Sequence, residues 1–159
     1  MRRLAVLLAS LSCCLALATC AEAPHLHAAS AAAGATEDPR LVVEFPEEMR
    51  THTLANMRDH LRTLEQIDSA LARGDYDAAA ALAEERLGMT SLDAHGAAHL
   101  AQFMPLGMQQ IGEQMHRAAS RFAIAAQNAA VSNDPKPALA ALSEVMRQCV
   151  ACHATYRLK

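Results

Sequence analysis

The sequence predicts an all-α protein, folded as an antiparallel four-helix bundle. Alanine is abundant, aromatic residues make up 3% of the chain and tryptophan is absent, a composition that favours helices over a large aromatic core. Apolar residues recur at three- and four-residue spacings in several segments, and no segment alternates with a period of two. Turns rich in glycine or proline separate these segments, as in a bundle with short connections.

The N-terminal residues resemble a secretory signal peptide. Met1-Arg2-Arg3 precedes an apolar run from Leu4 to about Ala18, which is too short for a comfortable transmembrane helix. We therefore assign residues 1–21 to a signal peptide and expect export to the periplasm. An alternative stays open, because residues 17–20 resemble a bacterial lipobox that would make Cys20 a lipidated N-terminus.

Residues 22–44 are predicted to form a flexible linker. The segment is rich in alanine, contains Pro24 and Pro39, and has no helical apolar stripe. His25 and His27 lie in this linker, where solvated tail residues are a better interpretation than metal ligands. The folded domain is therefore expected to span residues 45–159.

Two helices are predicted in the first half of this domain. The first begins near Pro46 or Glu47, carries an apolar stripe, and ends at residues 73–75, where a glycine follows an arginine. The second begins at Asp75 or Tyr76 and ends at Leu87, before Gly88. Residues 89–103 are less regular and are predicted to form a long connection with a short helical piece.

Two further helices are predicted in the second half. Eight positions from Met104 to Ala129 follow alternating four- and three-residue steps, which indicates one long helix. Residues 132–135 then form a turn. The last helix runs from about Pro135 to Tyr156, and its predicted apolar seam comprises Leu139, Leu142, Met146, Cys149, His153 and Tyr156.

The last helix contains Cys149-Val150-Ala151-Cys152-His153, the attachment pattern for c-type haem. Cysteines three residues apart share a helix face, roughly 4.5 Å apart along the axis, so both can reach the vinyl groups on one porphyrin edge. His153 is then placed to ligate the iron. Three alternatives remain for the two cysteines. A structural zinc site would need two more ligands, and thioredoxin-like redox dithiols lie near strands, which the sequence does not predict. The third alternative is one disulfide bond between the two cysteines.

The longer pattern Cys149-x-Ala151-Cys152-His153-x-x-Tyr156-Arg157 resembles the C-terminal signature of the cytochrome c′ family. Class I cytochromes c carry the attachment motif near the N-terminus instead. The resemblance covers roughly residues 45 to 159, with the last helix specific and the other three matched by pattern. It implies a four-helix bundle with haem on its last helix, Arg157 near the proximal side of the haem, and a homodimer.

The resemblance also implies a place for the sixth iron ligand. Low-spin members supply a methionine from the first helix, and residues 57–62 resemble that part of the helix. Met57 is therefore the candidate distal ligand, although a methionine on an apolar stripe is equally a core residue by position alone. Met49 is a weaker alternative, and His52 and His60 are interpreted as residues of the polar face.

The predicted function is periplasmic electron transfer through one covalent haem c, with redox proteins as partners. The net charge of −3 offers no nucleic-acid surface, and no catalytic acid–base pair or nucleophile indicates an enzyme. One alternative is a five-coordinate cytochrome c′ that binds NO or CO. Another is a structural or metal-storing bundle, which would use methionines and histidines at positions that include Met104, Met108, Met115, His95, His99 and His116.

Overall fold

The computed structural model describes residues 37–159. The predicted signal peptide, Cys20 and most of the predicted linker lie outside these described residues. Helices dominate the described part of the chain, so the prediction of a mostly helical protein is confirmed. No helix of this part is both long enough and apolar enough to cross a membrane.

Two long helices and three shorter ones form the body. Helices α1 (Glu47–Ala72) and α2 (Tyr76–Arg86) are followed by a single 3₁₀ turn (Met89–Ser91) and the short α3 (Ala97–Ala101). Helices α4 (Leu106–Ser132) and α5 (Lys136–Thr155) complete the helical part. Helix α1 packs against α2, α2 against α4, and α4 against α5.

Local chemistry explains where these helices begin and end. Pro46 precedes α1 and Pro105 precedes α4, positions where a missing N–H costs no helical hydrogen bond. Asp75 caps α2 by accepting a hydrogen bond from the amide of Ala78, 3.1 Å away. Gly74 and Asn133 adopt left-handed backbone angles, with φ of 72° and 54°, directly after α1 and α4.

The main core is built largely from alanine. Ten of its sixteen buried residues are alanines, which lets the helix backbones approach closely. The largest fully buried side chain is Phe122 of α4, and Ile67 of α1, Leu87 and Val145 of α5 are also buried within this core. This close packing holds α2, α4 and α5 together, and α1 contributes Ile67 and Ala70 to the same core.

The structure adds a small sheet that the sequence did not predict. Strand β1 (Leu41–Val43) pairs in parallel with β2 (Tyr156–Leu158), so that Leu41 lies opposite Tyr156. Strand β1 falls within the segment predicted as linker, and β2 begins at the residue predicted to end the last helix. The pairing therefore ties the chain before α1 to the chain just after the cysteine motif.

The buried face of α5 also differs from the predicted seam. Leu139 and Met146 are 48% and 44% exposed, whereas Val145 is 1% exposed. The buried positions Ala138, Leu142 and Val145 continue to the half-buried Cys149 and Cys152 with the same four- and three-residue steps. The helix is thus rotated relative to the prediction, and the face that packs on α4 leads to the cysteines.

Candidate cofactor cavity

A cavity of about 770 Å³ lies among α1, α4, α5 and the connection between α2 and α4. This volume is in the range of roughly 300 to 1,000 Å³ that small-molecule and cofactor sites occupy. The side chains around it are mainly apolar. Its larger apolar lining residues are Leu54, Met57, Leu61, Leu64, Leu92, Leu100, Met104, Met108, Ile111 and Met115.

The structure brings the sequence-predicted haem residues to this one cavity. Cys149, Cys152 and His153 line it from α5, and Met57 lines it from α1. Cys149 and Cys152 are half-buried, while His153 is the more exposed of the three. Met49, the weaker alternative to Met57, packs instead against a separate small core formed by Val43, Phe45 and Met108.

The two cysteines are free thiols in an apolar setting. Burial raises the pKa of Cys149, and burial together with the neighbouring Cys149 raises the pKa of Cys152. The Cys149 Sγ is 3.8 Å from the carbonyl oxygen of Val145, to which the thiol donates. Dithiol redox catalysts depend on a lowered thiol pKa, so this environment does not favour that interpretation of the motif.

The residues present fit a covalently bound porphyrin. The cavity has the volume and the apolar walls that a flat, largely hydrophobic cofactor needs. Two unpaired thiols stand one helical turn apart on its wall, and an imidazole follows them. Thioether sulfur and imidazole nitrogen are both established axial ligand types for haem iron. Residues 37–159 contain no group of three or more His, Cys, Asp or Glu side chains that could hold a metal ion instead.

Arg157 lies beside this cavity rather than on its wall. It lines a smaller adjoining pocket, which also contains His153 and Met57. The Arg157 Nε is 3.5 Å from Asp38 Oδ2. Arg157 and His153 therefore line the same small pocket, and the predicted role of Arg157 beside a haem stays a prediction.

Three histidines that the sequence did not bring together form a cluster at the cavity wall. The ring centroids of His60 and His95 are 4.7 Å apart, and those of His95 and His116 are 5.4 Å apart. His60 comes from α1, His95 from the connection, and His116 from α4. We call these three residues the histidine cluster.

In the histidine cluster His95 and His116 are buried and His60 is partly buried, and burial disfavours the charged form of each ring. Burial, and to a smaller extent the neighbouring His95 and His116, lower the pKa of His60 to about 4. Burial is also the main cause that lowers the pKa of His95 and of His116. The Nδ1 of His116 donates to the Leu87 carbonyl at 2.7 Å, whereas the buried Nε2 of His60 has no hydrogen-bond partner.

This arrangement corrects one interpretation made from the sequence, because His60 lies in the cluster and not on a polar face. His52 stays outside the cluster, and its Nε2 donates to the His95 carbonyl oxygen at 2.9 Å. Neither the cluster nor any other set of His, Cys, Asp or Glu in the described residues is arranged to hold a metal ion. The sequence did not reveal this cluster, because residues 60, 95 and 116 are far apart in the chain and share no local motif.

Comparison with known proteins does not place the chain in a family. No family model, no curated protein and no solved structure matches it. The function of the chain is therefore inferred from the cysteine motif and from the cavity.

Proposed function

We propose that this chain is an exported c-type cytochrome of the cytochrome c′ type, which transfers electrons in the periplasm through one covalent haem c. The observation that carries the proposal is the shared cavity. Cys149, Cys152 and His153 reach it from α5, and Met57 reaches it from α1. When bound, haem c would supply a one-electron Fe(III)/Fe(II) couple that no side chain of the chain can provide.

Each residue has a distinct part in the proposal. Cys149 and Cys152 would each hold the haem through a thioether made by adding the S–H across a vinyl group, the sulfur going to one carbon and the hydrogen to the other. His153 would supply an imidazole nitrogen to the iron, and Met57 would supply a thioether sulfur. A soft sulfur ligand favours Fe(II) over Fe(III), which raises the reduction potential.

We further propose that the four helices α1, α2, α4 and α5 form an antiparallel bundle. Three residues separate α1 from α2, and three separate α4 from α5. Connections this short join antiparallel neighbours in helical bundles. Such an arrangement supports haem binding, because it would place the start of α1 near the end of α5, where the cysteine motif lies.

The distal ligand is tested by replacing Met57. We expect the wild-type protein, oxidised, to show a low-spin spectrum with a methionine-to-iron charge-transfer band, and we expect Met57→Ala to lose that band completely. The reduction potential should fall, because the ligand that favours Fe(II) is removed. The measurements are optical spectra of both oxidation states and a redox titration.

Met104→Ala is the matched control for this test. Met104 is also a half-buried methionine that lines the cavity, but it lies just before α4 rather than on α1. Its replacement should leave the charge-transfer band in place. A high-spin wild-type spectrum that Met57→Ala does not change would exclude Met57 as ligand and favour the gas-binding alternative. Absence of covalent haem would overturn the proposed function itself.

A further inference from the structure

A second pocket of about 220 Å³ adjoins the main cavity and is lined by three arginines. Arg40 precedes β1, Arg50 lies in the first turn of α1, and Arg157 lies in β2. We call this the arginine pocket. Its wall contains no carboxylate side chain. The remaining lining residues are Leu54, Met57, Met108, Cys152, His153, Tyr156 and Leu158.

The positive charge of the arginine pocket is only partly neutralised from within the described chain. Asp38 accepts hydrogen bonds from the Nε and Nη2 of Arg40, and these bonds are the largest cause that lowers the pKa of Asp38 to about 2. The same carboxylate therefore stays ionised and is shared with Arg157. Arg50 has Glu47 as its ion-pair partner at 3.7 Å, but that side chain is 79% exposed and is screened by water.

Arg157 retains a buried donor that no group in residues 37–159 accepts. Its Nε is buried and has no hydrogen-bond partner, because Asp38 Oδ2 at 3.5 Å lies outside hydrogen-bonding geometry. A buried unpaired donor costs free energy, and this cost is higher for a charged group. The unpaired donor therefore indicates that an acceptor other than the residues of the described part completes the site.

The arginine pocket is continuous with the apolar cavity. Leu54, Met57, Met108, Cys152 and His153 line both spaces. A ligand whose apolar body fills the cavity can thus extend an anionic group toward the arginines without crossing a wall of protein. Amphiphilic molecules that carry a carboxylate on an apolar body match this combination.

We propose that Arg40, Arg50 and Arg157 form a carboxylate-binding pocket beside the cysteine motif. Guanidinium groups bind carboxylates through paired N–H donors, which is the chemistry that Arg157 leaves unused. The carboxylate has two sources: a side chain of the covalently bound porphyrin, or a free small carboxylate. Only the first source rests on the proposed function.

The test measures binding of sodium succinate by calorimetry at low ionic strength, with sodium chloride as the matched salt. The haem-free chain is the full-length Cys149→Ala/Cys152→Ala variant, and the haem-bearing chain is the wild type. Arg157→Gln should weaken succinate binding to the haem-free chain about tenfold, the loss expected for one charge-assisted hydrogen bond. The control Arg147→Gln removes an exposed α5 arginine that pairs with Glu144, and should leave the affinity unchanged.

The haem-bearing chain distinguishes the two sources. If the porphyrin supplies the carboxylate, this chain does not bind succinate, and Arg157→Gln shifts the pH dependence of its reduction potential because the carboxylate loses its partner. If the source is free, succinate binds both chains, and Arg157→Gln weakens both affinities. Should the haem-free variant lack the helical circular dichroism of the wild type, the haem-bearing comparison decides alone.

The proposal is overturned if succinate binds neither chain and Arg157→Gln changes the redox titration no more than Arg147→Gln does. Equal weakening by the two substitutions would also overturn it, since that result indicates general charge attraction rather than a pocket. A wild type without covalent haem would refute the proposed function, while the succinate titration would still test the arginine pocket.

Discussion

Replacing both Cys149 and Cys152 with alanine is expected to abolish covalent haem attachment completely. The two residues supply the only thiols in the described part of the chain, and both line the cavity. Without them no thiol remains there to form a thioether, so no haem is held covalently. The check is intact mass together with haem staining after denaturing electrophoresis, which retains only covalently bound haem.

Matched variants separate the loss of the thiols from disruption of α5. Val150 lies between the cysteines and is 67% exposed, so Val150→Ala should retain full haem attachment. Each single cysteine variant should keep one thioether and part of the stain. Haem that stays attached through denaturation in the double variant would show that the cysteine motif is not the attachment site. Cys149, Cys152 and His153 would then require another role.

The helices could be predicted because their signals are local. Pro46 and Glu47 mark the start of α1, Gly74 marks its end, and residues 132–135 separate α4 from α5, as the structure bears out. Each signal depends on backbone chemistry that a short window of sequence contains. The predicted third helix began at Met104, whereas α4 begins at Leu106, because Pro105 occupies the N-cap position.

The buried face of α5 could not be predicted in the same way. Leu139 and Val145 are both aliphatic, and periodicity alone does not decide which one faces α4. The alanine-rich core decides it, because α4 presents small residues that accept Ala138, Leu142 and Val145 in close contact. Cys149 belongs to the predicted seam and to the observed face alike, whereas Cys152 belongs only to the observed face.

The sheet and the two polar clusters depend on contacts between distant parts of the sequence. Strands β1 and β2 have three residues each, too few for an alternating pattern to be recognised. The histidine cluster joins residues 60, 95 and 116, and the arginine pocket joins residues 40, 50 and 157. Neither set has a local spacing, so only the fold brings its members together.

The histidine cluster is expected to make the protein less stable in mild acid, in the range from pH 6.5 to about 4. The pKa of His60 is about 4 in the folded chain, against 6.5 for an ordinary histidine. Between these values the unfolded state binds a proton that the folded state excludes. Stability therefore falls as the pH falls through 6.5, and this loss is complete near pH 4.

The expected loss from His60 alone is about 3 kcal/mol over this range, since one pKa unit corresponds to about 1.4 kcal/mol. The lowered pKa values of His95 and His116 act in the same direction. Asp59 is adjacent to His60 and pairs with Arg86 of α2 at 2.5 Å, which lowers the pKa of Asp59. Its contribution to the free energy of unfolding is therefore lost only below the ordinary pKa range of a carboxyl group. Its effect thus lies at lower pH than that of the histidines.

The measurement is the free energy of unfolding by urea at intervals from pH 7 to pH 4, for the wild type and for His60→Gln. Glutamine does not titrate, so the variant should show a shallower decline by up to about 1.4 kcal/mol per pH unit, whatever its stability at pH 7. His99→Gln changes an exposed histidine outside the cluster and should keep the wild-type slope. A wild-type stability that is constant from pH 6.5 to 4.5 would contradict the prediction, because a buried, unpaired imidazole cannot exclude a proton without that cost.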